Sequence, residues 1–163
     1  QIKKEKTKKE NIIENKKENT NKKEKPKEKE EIKDEPIEVE EKTISISFDM
    51  TKALENIDLL SEEKRKFIPE SGFLLSLNNI YFNEGDSVFD ITIKVLEENG
   101  IQVEYEYTPA FDSYYLEGIN NIYEFDFGDN SGWVFEVNNQ RVNVGSSSYI
   151  LNDGDNIVWK YTI

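Results

Sequence analysis

The two tryptophans, eight tyrosines and nine phenylalanines of this 163-residue chain all lie after position 42. That segregation decides where a core can form. Residues 1–42 read as runs of Lys, Glu and Asn, with 14 lysines against 13 acids and no aromatic side chain. Such a segment has too little apolar surface to offset the entropy lost on ordering. Glu–Lys spacing supports transient helix, yet Pro26 and Pro36 interrupt any long one. Residues 1–42 are therefore expected to be a disordered linker, spanning on the order of 35 Å as a flexible coil. The folding domain is expected over residues 43–163.

Charge divides the same way. The chain carries 21 basic and 34 acidic residues, so residues 43–163 keep only 7 basic against 21 acidic, a net charge of −14. An acidic domain repels phosphates and anionic lipid, whose binding depends on Lys and Arg neutralising charge. Neither nucleic acid nor membrane contact is expected of the folded part. The plain reading of the charge is solubility and low self-association, and a monomer is expected.

The chain has no cysteine and no histidine. Disulfides, thiolate nucleophiles and Ser–His–Asp catalysis are thus impossible within it, and the commonest metal ligand and general base are missing. No glycine-rich nucleotide loop stands in for them. No enzyme activity, cofactor or metal site is expected. No apolar run is long enough to cross a membrane. The chain opens at Gln1 inside low-complexity sequence, which reads as a fragment or processed form whose signal or anchor lies upstream.

Within 43–163 the periodicity changes from segment to segment. Ile44, Ile46 and Phe48 alternate as a half-buried strand. Residues 52–67 predict one or two short helices, with Leu54, Ile57 and Leu60 or Ser61 at helical spacing and Ser61 placed to cap the second. Ile80 to Phe82 predicts a short strand, and Asn83 to Asp86 a turn. The stretch SVFDITIKVLEENG is β-branched, which favours a strand. However, Ser87 with Asp90 fits a helix N-terminus and Asn99-Gly100 fits its end, while Val88, Ile91, Val95 and Leu96 share one helical face. The caps decide for a helix over 87–99. Strands follow at Ile101–Tyr107 and Trp133–Val137, with a turn at Asn138–Gln140, and a last strand at Asn156–Ile163. Short extended pieces at 115–117 and 123–125 flank a turn at Gly118. This order predicts an α+β fold, a compact sheet with one main helix across a face.

Several spaced motifs carry a resemblance: Gly118-Ile119-Asn120, Glu124-Phe125-Asp126, Ser131-Gly132-Trp133, Val137-Asn138, Gly145, Tyr149, Leu151, Asp153-Gly154-Asp155, Ile157, Trp159 and Tyr161. Their order and spacing resemble DUF4430, a bacterial domain family itself similar to the C-terminal β-domain of transcobalamin and intrinsic factor. The resemblance covers about residues 43–163 and implies a β-grasp-like mixed sheet. It departs at Asn139, where the pattern has Gly, and at Phe127 and Ser146, near which some relatives carry a cysteine pair.

What the resemblance implies about function is a tethered binding module, extracellular and attached to the bacterial cell surface in Firmicutes such as clostridia, with an anchor outside this fragment. The implied partner is a corrinoid or another small flat ligand, with a surface protein or glycan as the alternative for a structural or adhesive domain. In the vitamin B12 carriers this kind of domain covers one face of the corrin and a helical barrel, without counterpart here, holds the other. The candidate ligand rim is Ser131, Gly132 and Trp133 with Ser146, Ser147 and Tyr149. Each has a plainer reading: Trp133 alternates with Phe135 as core, Gly132 permits a bulge, and the serines form a turn. Asn152–Asn156 resembles a cation loop but lacks the distal Glu of an EF-hand, so a turn is expected. Asp126 and Asp129, or a carboxylate pair for glycoside hydrolysis, are expected from acid abundance alone.

Overall fold

The computed structural model describes residues 41–163. The expected disordered linker therefore lies outside the described residues, except for Glu41 and Lys42.

The fold is α+β, with mixed pairing in its main sheet. Strand β1 (Thr43–Asp49) leads into helix α1 (Thr51–Glu55), a 3-10 turn (Ile57–Leu59) and helix α2 (Glu62–Arg65). Strand β2 (Phe73–Tyr81), helix α3 (Val88–Glu98) and strands β3 (Val103–Thr108), β4 (Ser113–Ile119) and β5 (Ile122–Tyr123) follow. Strands β6 (Gly132–Val137), β7 (Gln140–Arg141) and β8 (Asn156–Thr162) complete it. Five strands form one sheet in the order β2-β1-β8-β6-β7, and β3-β4-β5 form a second. The first is mixed because β1 runs parallel to β8 while its other neighbours are antiparallel.

Alternation explains the core. Ile44, Ile46 and Phe48 on β1 and Ile157, Trp159 and Tyr161 on β8 are all buried. Val88, Ile91, Val95 and Leu96 present the buried face of α3 in the same cluster. Each such side chain contributes about 1.5–3 kcal/mol by leaving water. One polar contact fixes how helix meets sheet. The indole Nε1 of Trp159 donates to Thr92 Oγ1 at 2.8 Å, and that hydroxyl donates to the Val88 carbonyl at 2.6 Å.

The caps outweigh the β-branched content of α3 as expected. Ser87 Oγ accepts from the Asp90 N–H, and Asp90 Oδ2 accepts from the Ser87 N–H at 2.9 Å, a complete capping box. The two remaining N–H groups of the first turn, on Val88 and Phe89, donate to the carbonyls of Tyr149 and Ser146 at 3.0 Å each. The chain segment 145–149 thus belongs to the helix terminus.

Five expectations are corrected. The strands divide into two sheets rather than one. The strand expected at 80–82 is the nine-residue β2 (Phe73–Tyr81); a bulge opposite Ile44 and Ile46, with Asn79 at φ 56°, disrupts the alternation that would have revealed it. The turn expected at Gly118 lies at Asn120 and Asn121, both at positive φ. Gly118 sits within β4, where an added Cβ would come within 2.6 Å of the Tyr123 ring. Gln140, expected in a turn, begins β7, and the turn itself is Asn138-Asn139, at φ 53° and 63°. Ser61 occupies the N-cap of α2, but its side chain makes no capping bond.

Candidate ligand-binding groove

Two strand edges face each other without pairing. On β6, β8 occupies one side along Gly132–Val137, whereas β7 reaches only Glu136 and Val137 on the other. On β4, β3 occupies one side and β5 pairs only with Gly118 and Ile119 on the other. Between these free stretches two cavities open side by side. The inner one, about 190 Å³, is bordered by Leu116, Trp133, Phe135, Trp159, Arg141 and Ser146. The outer one, about 510 Å³, reaches Thr108, Phe111 and Val144. Tyr114, Tyr115, Val142 and Gly145 border both, so together they form one groove with aromatic walls.

Each wall has its own local cause. Tyr114 stacks on Phe89 of α3 with centroids 4.6 Å apart and planes 9° apart. It also meets Tyr105 and Tyr107 edge-on, an arrangement worth about 0.5–1.5 kcal/mol per pair beyond burial. Tyr115 lies on the opposite face of β4 and donates its hydroxyl to Glu124 Oε2 at 2.7 Å. Partial burial and that carboxylate push the Tyr115 phenol up to about 12. Phe135 packs against Trp159 at 5.2 Å.

The third wall is the segment 141–146. Gly145 lies so close to β4 that an added Cβ would overlap the Ser113 side chain. Ser147 Oγ and Ser113 Oγ share a hydrogen bond at 2.8 Å, and the Tyr114 N–H donates to Ser147 Oγ at 3.1 Å.

Of the six residues expected at a ligand rim, the structure brings Trp133 and Ser146 to the groove. Trp133 is a core residue with one exposed edge. It is 4% exposed, its Nε1 donates to the Ile122 carbonyl at 2.9 Å, and its ring meets Tyr161 edge-on. Ser131 is buried behind it. Its hydroxyl accepts from the Phe127 N–H and from the Tyr161 hydroxyl and donates to the Gly128 carbonyl. Burial pushes that Tyr161 phenol up to about 12. Gly132 is buried beside Glu124. Ser147 holds the groove's third wall through Ser113, and the Tyr149 carbonyl accepts from the Val88 N–H at the α3 cap.

The sequence reading missed Tyr114, Tyr115, Phe135, Arg141 and Val142. One signal was present: adjacent tyrosines in a strand point to opposite faces, so Tyr114 and Tyr115 cannot both enter one core.

The segment 152–156 is a turn, as expected. Asp153 and Asp155 accept main-chain N–H groups of Thr43 and Asn152, and Asp155 also accepts from Asn138. Asp126 pairs with Lys64 at 2.6 Å. Among the described residues no cluster of three or more His, Cys, Asp or Glu side chains could hold a metal ion. No described helix is long and apolar enough to cross a membrane.

The framework that builds this groove, α3 followed by β3 to β8, is the part that sequence comparison picks out. Residues 85–162 match DUF4430, a domain of unknown function. The match runs from the turn before α3 to the end of β8, so the matched segment contains every wall of the groove. Among solved structures, haptocorrin in complex with Cbi is similar, with a TM-score of 0.53 at 13% identity over 74% of this chain. At that identity the likeness is one of fold, and the chain spans only 24% of haptocorrin. A second similar structure is described as a "putative metal binding protein from Ruminococcus gnavus ATCC 29149", with a TM-score of 0.44 at 14% identity, covering 75% of this chain and 97% of that one. No curated protein matches the chain.

Proposed function

We propose that residues 43–163 are a non-catalytic binding module, held outside the cell on the Lys/Glu-rich linker, whose DUF4430 groove takes one edge of a flat ligand. The observation that carries this reading is the groove itself. Two unpaired strand edges and the segment 141–146 leave aromatic side chains open to solvent at the boundary between the sheets. Rings of Tyr, Phe and Trp offer rigid planes that bind at low entropic cost. The ligand class rests on the fold likeness to haptocorrin, a protein solved with Cbi bound, and makes a corrinoid the first candidate. Surface display rests on the family resemblance and on the composition of the linker.

Titration of the whole chain with cyanocobalamin by calorimetry tests the ligand class. Saturable heat with one molecule bound per chain is expected. An absence of heat at millimolar ligand removes the corrinoid from consideration. A structural or adhesive domain is the second reading. The burial of Trp133 and the engagement of its N–H by Ile122 favour it. Under that reading, no small ligand changes the tryptophan emission.

A further inference from the structure

We propose that Arg141 is the anion anchor of this groove, so that its ligand is a flat, ring-bearing molecule carrying a carboxylate, phosphate or sulfonate group. The assignment rests on the reading of the groove as a binding site and adds the chemistry of what occupies it.

Arg141 stands apart from the other cations of the acidic domain. Lys52, Lys64, Arg65 and Lys160 form ion pairs with Glu55, Asp126, Asp58 and Glu136. Lys66 lies over the Phe67 ring at 5.0 Å, and Lys94 donates to the Tyr81 carbonyl. Only Arg141 and Lys66 have neither an ion pair nor a side-chain hydrogen bond among the described residues, and of these two only Arg141 borders the inner cavity. Its natural partner is already occupied. Glu136 faces Arg141 across the β6–β7 ladder, yet the Glu136 carboxylate is held by Lys160 Nζ at 2.5 Å from the other neighbouring strand.

The backbone under Arg141 is held in place. The Asn138-Asn139 turn sets β7 against β6. Asn138 is fixed in turn by Asp155 Oδ1, which accepts from its Nδ2, and by the Asn156 N–H, which donates to its Oδ1, each at 2.9 Å. A planar guanidinium on a fixed strand at the border of a groove with aromatic walls can fork onto an oxyanion carried by a ring-bearing ligand. Elsewhere the net charge of −14 over residues 43–163 opposes anions, so this corner of the groove is the complementary site for one.

Two probes with the same fused-ring body separate ring from charge: 8-anilinonaphthalene-1-sulfonate and its neutral analogue N-phenyl-1-naphthylamine. With the whole chain, the sulfonate should bind about 10-fold more tightly than the neutral dye, a difference of about 1.4 kcal/mol. Arg141→Gln should remove that advantage and leave the neutral dye unchanged, and Arg141→Lys should restore part of it. The exposed side chain makes both variants safe for folding, which circular dichroism verifies. Equal affinity for the two dyes, or sulfonate binding indifferent to Arg141→Gln, overturns the anchor while leaving the groove reading intact. Failure of both dyes to bind overturns the two together.

Discussion

Replacing Gly145 with alanine tests the close approach that shapes the groove's third wall. Gly145 is absent from the positive-φ residues, so an alanine there carries no backbone strain of its own. The cost is steric. The new methyl would overlap Oγ and Cβ of Ser113, and Ser113 is 4% exposed and cannot swing into solvent. Either β4 or the 145–149 segment must shift. Overpacking of this kind costs about 1–3 kcal/mol, and loss of the 2.8 Å Ser113–Ser147 bond adds about 0.5–1.5 kcal/mol. A total of about 2–4 kcal/mol corresponds to a fall in Tm of roughly 8–16 °C for a domain of this size. Urea unfolding followed by tryptophan emission measures it directly. The informative partner is Ser113→Gly, which removes both atoms that collide. In the Gly145→Ala background it should recover most of the overlap cost, giving a coupling energy above about 1 kcal/mol. If Gly145→Ala lies within about 0.5 kcal/mol of the parent, or if the two changes simply add, the packing argument is wrong.

Three further outcomes follow from named contacts. Thr92→Val keeps the side chain's shape but strands the buried Trp159 N–H, so it should destabilise the domain by about 1–3 kcal/mol in the same urea assay. Ser87→Ala removes the side-chain acceptor of the α3 capping box and should cost about 0.5–2 kcal/mol; unchanged stability would mean that the Ser146 and Tyr149 carbonyls suffice at that terminus. The Tyr115 and Tyr161 phenols, pushed up to about 12, favour the neutral form in the fold relative to an unfolded tyrosine near 10. Their contribution is therefore fully present below pH 10 and lost as pH rises through about 12. Tyrosinate absorbance should show these two groups ionising later than the other tyrosines, and late ionisation that survives in urea would contradict a cause lying in the fold.

Period-two alternation reports which face of a strand is apolar, and caps report where a helix begins and ends. Both are local, and both were legible: β1, β6, β8 and α3 fall where the residues place them. Where a bulge breaks the alternation, as at Asn79 in β2, the strand was read too short. Alternation says nothing about which strand edges pair, so the division into two sheets went unread. The partial exposure of the groove's aromatics depends on the same pairing. Trp133 illustrates the limit, because its strand context announced a packed indole, while the cavity along its edge exists only because β4 stops short of β6.

The sequence by itself determined that every aromatic side chain lies after residue 42, that this part is acidic, that His and Cys are absent, and that one capped helix accompanies alternating strands. Only the tertiary structure decided that Ser146 and Tyr149 cap α3, that Gly145 must be glycine to lie against Ser113, and that Arg141 borders the groove without an ion pair among the described residues. The physical reason is range. Composition and periodicity act within a few residues, whereas these contacts join positions some 30 to 60 residues apart, and only the packed chain brings them together.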